Sequence, residues 1–137
     1  MPDLSLTTSY VIKAPRRTVY DAWLDPAELG QFIGHDPDLT VSDVAIDAHV
    51  DGQFSYRIGD ASYQGTYRAL QPGETIRFSW ELPQAKAGSY VSLGFRVVAE
   101  GCEVVLTHIH FPNSILRDIQ LERWNAVLRN LAAHFQS

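Results

Sequence analysis

Residues 114–135, SILRDIQLERWNAVLRNLAAHF, decide the reading of the fold. Leu121, Trp124, Leu128, Leu131 and Phe135 recur three and four apart, the spacing that gathers side chains on one face of an α-helix. Asn113 or Ser114 is placed to cap its start, because a short polar side chain accepts from the first free N–H groups of a helix. A helix this long with one apolar face needs a surface to cover, and the preceding residues supply it.

Across residues 40–111 the apolar period switches to two. LTVSDVAID and GQFSYRI read as strands, the second with Phe54, Tyr56 and Ile58 on one face. SYQGTYRAL, TIRFSWEL, YVSLGFRVV and CEVVLTHIHF follow, with Ile76, Phe78 and Trp80 aligned in the second of these. Turn chemistry separates them at Asp51-Gly52, Gly59-Asp60, Pro72-Gly73, Ala87-Gly88 and Glu100-Gly101. Links this short make an antiparallel meander, since a parallel crossover needs about a dozen residues or more.

Upstream, LSLTTSYVI (residues 4–12) is rich in strand formers, and APRRTVYDAWLDP sets Val19, Ala22 and Trp23 on one helical face. In DPAEL, Asp25 is an N-cap, Pro26 stands at the first helical position and Glu28 suits a capping box. The order is therefore strand, two short helices, meander and long terminal helix, in one domain over residues 1–137. The terminal helix is the element long enough to cover the sheet's inner face. A curved sheet round one helix predicts an interior space suited to an apolar ligand.

These phrases in this order resemble the SRPBCC superfamily (START, or Bet v 1-like). Within it the chain is similar to the branch related to the C-terminal domain of the Hsp 90 ATPase activator. IKAPRRTVYDAWLDPAEL, VDGQFSYRI, GTYRALQPGETIRFSWEL, LTHIHF and ERWNAVLRNLAAHF carry the resemblance, which spans nearly the whole chain. Two departures are Gln53, where that branch usually has a second glycine, and Phe32, near where it often has a tryptophan at the cavity mouth. The resemblance implies an α+β helix-grip fold. Its curved antiparallel sheet, about six to seven strands, wraps round a long C-terminal helix, with two short helices after the first strand. It implies a cavity-bearing domain but no single activity, since function belongs to the site and not to the fold.

Composition narrows the partners. A formal charge of −5 with scattered Lys and Arg argues against nucleic acid and anionic membranes, and Arg16-Arg17 is the only adjacent basic pair. No apolar run approaches the roughly 20 residues that span a bilayer, and the first residues lack a signal-peptide pattern, so a cytoplasmic location without membrane insertion is expected. Cys102 is alone, which excludes an intrachain disulfide and a thiolate metal cluster. The acidic run of Asp36, Asp38, Asp43, Asp47 and Asp51 lacks calcium-loop spacing and reads as a solvated face. No nucleophile elbow, Cys-His pair or phosphate-cradling loop is present, and no cofactor is expected.

LTHIHFPN places His108 and His110 one residue apart on a strand, pointing to the same face. The plain reading is histidine satisfied by a neighbouring hydroxyl or carbonyl. The alternatives are a polar contact to a ligand, or a metal pair, which zinc's need for three or four ligands disfavours; no metal is expected. Alternation makes Tyr56, Phe78, Trp80, His108, His110 and Trp124 wall residues, and the resemblance implies that Phe32 stands near the mouth. The expectation is a domain that holds a small apolar, aromatic or lipid-like molecule between sheet and terminal helix. An enzyme of cyclase or hydrolase type in the same cavity and an Hsp 90 activator-like protein-interaction module are the alternatives. An exposed edge strand would permit a homodimer.

Overall fold

The computed structural model describes residues 4–82 and 85–136, with side chains outside 81–88. Strand β1 (Leu4–Ile12) leads into helices α1 (Arg16–Trp23) and α2 (Pro26–Phe32). Six strands follow: β2 (Val41–Ile46), β3 (Gln53–Ile58), β4 (Ala61–Gln71), β5 (Thr75–Leu82), β6 (Ala85–Val98) and β7 (Gly101–Phe111). Helix α3 (Ser114–His134) closes the chain. The seven strands form one antiparallel sheet in the order β1-β7-β6-β5-β4-β3-β2, so every neighbour is joined by a short link except β1, which pairs with β7. This is the α+β grip expected: a curved open sheet with α3 on its inner face and two short helices after the first strand.

Local chemistry explains the boundaries. Asp25 caps α2 by accepting from the Ala27 and Glu28 N–H groups at 2.9 and 3.2 Å, with Pro26 at the first position where no N–H is missed. Asn113 caps α3 by accepting from the Leu116 N–H at 2.9 Å. One expected turn is corrected. Ala87-Gly88 lies inside β6, whose backbone is extended from Ala85, and the link to β5 falls on residues 83–84, outside the described residues. A glycine tolerates an extended strand as readily as a turn, so it marks a break only when the neighbouring pattern agrees.

The inner face follows strand alternation. Phe54, Tyr56 and Ile58 of β3, Tyr63 and Tyr67 of β4, Ile76, Phe78 and Trp80 of β5, and Val91, Leu93 and Phe95 of β6 are all buried. Cys102, Val104, Leu106 and His108 of β7 complete it, and Trp124, Val127, Leu128 and Leu131 of α3 pack over it. Leu121 and Phe135, expected on the same helical stripe, are only partly buried. A helix over a curved sheet keeps its middle turns covered and lets its ends ride clear. Thr8 Oγ1 donates to Asn125 Oδ1, tying β1 to α3.

Gly65 is a close-approach glycine. It faces Phe54 across the β3–β4 pair, and a Cβ there would run into the Ser79 carbonyl oxygen and come within 2.6 Å of the Phe54 ring. Gly65→Ala should therefore destabilise the fold by about 2 kcal/mol through overpacking. Urea unfolding measures it; a loss below about 0.5 kcal/mol, the size of a surface substitution, would show that the strand yields freely.

Candidate functional site

The sheet and α3 meet along a continuous seam of rings. Trp80 is at its centre, with ring centroids 5.0 Å from Trp124, 5.5 Å from Tyr63, 6.0 Å from Tyr56, 6.1 Å from Phe78 and 6.2 Å from His108. Tyr56 and Tyr63 stack at 5.4 Å, and Phe54 meets Phe78 edge to face at 5.0 Å. Five of the expected wall residues, Tyr56, Phe78, Trp80, His108 and Trp124, are thus brought together.

Phe32 and His110 stand elsewhere. Phe32 is fully buried on α2, packed against Trp23 at 4.9 Å and His134 at 6.0 Å, so it backs the seam through Trp23. His110 corrects the expectation that both histidines point inward. Ser5 pairs with Ile109 and Leu4 with Phe111, which leaves His110 as an extra residue on β7. Its φ of 71° is the left-handed conformation of a bulge, and one extra residue reverses every side chain beyond it. His110 is consequently exposed, with its ring 6.1 Å from Tyr90, and Phe111 takes the inward place.

His108 is fully buried. Trp124 Nε1–H donates to its Nδ1 at 3.0 Å, so Nδ1 is the bare nitrogen and the neutral ring carries its proton on Nε2. Burial pulls its pKa down to about 3. A ring so reluctant to take a proton, hydrogen-bonded to an indole and not to a carboxylate or phenol, is a weak general base at neutral pH. The Tyr56 and Tyr67 phenols are shifted the other way, held protonated mainly by burial.

The space itself also corrects an expectation. The rings fill the interior, leaving a void of about 20 Å³ bordered by Trp23, Leu29, Ile33, Phe54, Trp80 and Trp124. A second void of about 10 Å³ lies between Tyr56, Tyr63, Trp80, Gln120, Arg123 and Trp124. Each has room for roughly one water. A ligand-sized space is therefore closed here, because large rings from three strands and both α1 and α3 occupy it. Leu29 and Ile33 border the larger void at α2 and its C-cap, which α3 holds in place: Asn130 Nδ2 donates to the Phe32 and Gly34 carbonyls at 3.3 and 2.8 Å, and His134 Nε2 meets Glu28 Oε1 at 3.1 Å.

Trp23, Leu29 and Ile33 were not among the expected wall residues. Their helical faces are visible in the sequence, but which part of the sheet a short helix packs against is not. Among the described residues, no group of three or more His, Cys, Asp or Glu is placed to hold a metal ion, and no helix is long and apolar enough to cross a membrane.

The sequence profile described as Activator of Hsp90 ATPase homolog 1-like protein matches residues 13–136. A protein from Chromobacterium violaceum has a similar structure, with a TM-score of 0.88 at 23% identity, covering 99% of each chain. An AHSA1-like protein from Aeromonas hydrophila gives 0.79 at 20% identity over 96% of this chain and 91% of its own. The Aha1 dimer from Colwellia psychrerythraea gives 0.79 at 18% identity, covering 96% of each chain. No curated protein sequence matches.

Proposed function

The chain belongs to the Activator of Hsp90 ATPase homolog 1-like family, and from that membership we propose that it is a binding domain for a small, largely apolar molecule with an aromatic or lipid-like body. The ligand enters the seam between sheet and α3 from the α1–α2 side and parts the rings it meets. The observation that supports this reading is the seam's lining. The larger void is walled by aromatic and aliphatic side chains alone, and one side of it is closed by α2, a seven-residue helix that α3 grips through Asn130 and His134.

A ligand offering about 300 Å² of apolar surface gains about 7 kcal/mol by burial. Part of that is spent on opening, and the apparent affinity falls by the fraction of molecules already open. Titration with N-phenyl-1-naphthylamine should quench Trp80 and Trp124 emission saturably at one probe per chain. Native mass spectrometry of protein from its own host should show a co-purified small molecule. Bare chain in the second experiment together with no saturable quenching in the first would overturn the proposal.

A second reading, a protein-interaction module, is favoured by the filled interior and by an open groove of about 740 Å³ outside the seam. Gly34, His35, Pro37 and Leu39 form one wall of it, Ala126 and Arg129 of α3 the other. It predicts that the protein alters the ATPase rate of an Hsp90, with Arg129→Glu abolishing the effect while the fold is kept. An unchanged rate would remove it. A homodimer, by likeness to the Colwellia protein, and a cytoplasmic location belong to either reading.

A further inference from the structure

We infer that the seam selects ligands bearing a neutral hydrogen-bond acceptor, such as a ketone, ester or ether oxygen, on the apolar body. This rests on the binding reading above and names the chemistry of that site.

Among the described residues, three buried side-chain polar atoms have no hydrogen-bond partner within the protein: Trp23 Nε1, Trp80 Nε1 and His108 Nε2. All three are donors. The indole nitrogens are donors by nature. His108 Nε2 is one because Trp124 has claimed Nδ1 as acceptor. The imbalance is one-sided, since among the described residues no buried side-chain acceptor is left over. Nothing among the described residues accepts from these groups, which leaves the acceptor to be brought by a ligand.

Their placement makes this a site. Trp23 and Trp80 both border the larger void, while His108 lines neither void and lies edge-on to Trp80 at 6.2 Å. All three residues are more than nine-tenths buried. A ligand oxygen reaching Trp80 Nε1 enters a pocket whose hydrogen-bonding demand is otherwise unmet. A hydrocarbon of the same shape would leave those donors unmet. Charge separates the acceptors further. No Lys, Arg, Asp or Glu borders the larger void, so a carboxylate would lose its hydration there with no counter-charge in return. The one lysine or arginine bordering the smaller void is Arg123, beside Gln120. His108 supplies no charge either, being held neutral at any pH above about 3.

The test is a matched series measured by tryptophan quenching at pH 7.5: 2-acetylnaphthalene, 2-ethylnaphthalene and 2-naphthoate. The ketone should bind at least about tenfold more tightly than the hydrocarbon, the equivalent of one hydrogen bond at about 1.4 kcal/mol. Naphthoate should bind more weakly than either. Trp80→Phe keeps a ring and removes the donor. It should shrink the ketone-to-hydrocarbon affinity ratio from about tenfold toward one, with urea unfolding reporting that the variant is folded; a ratio that stays at about tenfold in Trp80→Phe would overturn the inference. The bound ketone's C=O stretch should move to lower frequency in the wild type and return in Trp80→Phe. Equal binding of ketone and hydrocarbon would overturn the inference and leave the binding reading standing. Tightest binding by naphthoate, through Arg123, would overturn it as well. No binding by any of the three would sink both.

Discussion

Trp124→Ala should lower the unfolding free energy by about 3–5 kcal/mol, the range for truncating a fully buried tryptophan. Trp124 is 1% exposed, packs 5.0 Å from Trp80, borders both voids and holds the His108 ring by its Nε1–H. Truncation joins the two voids into one cavity and leaves His108 Nδ1 as a buried acceptor without a donor. The cavity accounts for most of the expected loss and the stranded nitrogen for about 1–3 kcal/mol of it. Trp124→Phe separates the parts, since it keeps most of the volume and removes only the donor. Equilibrium unfolding in urea at pH 7 measures both, with the slope of the transition as a check that the unfolded state is unchanged. A loss under about 1 kcal/mol for Trp124→Ala would mean that neighbouring rings collapse into the gap without difficulty.

The second large effect is acid sensitivity. Burial depresses the His108 pKa from 6.5 to about 3, so in that window the unfolded chain holds a proton that the folded chain refuses. Stability contributed by keeping the ring neutral is complete above pH 6.5 and is lost as the pH falls toward 3. The slope is about 1.4 kcal/mol per pH unit, which amounts to roughly 3 kcal/mol between pH 7 and pH 4.5. His35 is shifted in the same direction, by burial first and then by Arg123, with Asp36 opposing, so it adds to the trend. His108→Leu isolates the buried ring, because every other group titrates alike in both proteins. Its stability should fall less steeply than that of the wild type between pH 6.5 and 4.5. Parallel curves would show that the imidazole is hydrated, or protonated, in the folded state.

Much of this was readable from residue pattern. The caps at Asp25 and Asn113 lie where a short polar side chain precedes a helical stripe, and both hydrogen bonds are present. Strand alternation placed Tyr56, Phe78, Trp80 and His108 on one face because a strand gives its side chains only two directions. His110 escaped because a bulge adds one residue without changing residue type, so nothing in LTHIHF marks where the alternation stops. The closed interior escaped for another reason. Alternation tells which way a ring points, but not how far the sheet stands from α3, and a void is the small remainder of that distance after ring volumes are subtracted. The His108–Trp124 hydrogen bond depends on the same distance and on the rotation of α3, which its weak segregation of apolar residues leaves open.

The pairing of β1 with β7 also sets a timetable for synthesis. Residues 4–12 leave the ribosome before every other strand, yet their partner in the sheet is the last strand made, and their helical cover, α3, comes later still. The meander from β2 to β7 can zip up by local hairpins as it emerges, whereas β1 must wait with Leu6 and Ile12 uncovered until β7 and α3 are available. Docking of β1 is therefore a long loop closure that joins the two ends of the domain, and it cannot precede the synthesis of β7. A nascent chain stalled before residue 101 carries a strand with nowhere to dock, and that is the stage at which chaperone contact would matter most for this fold.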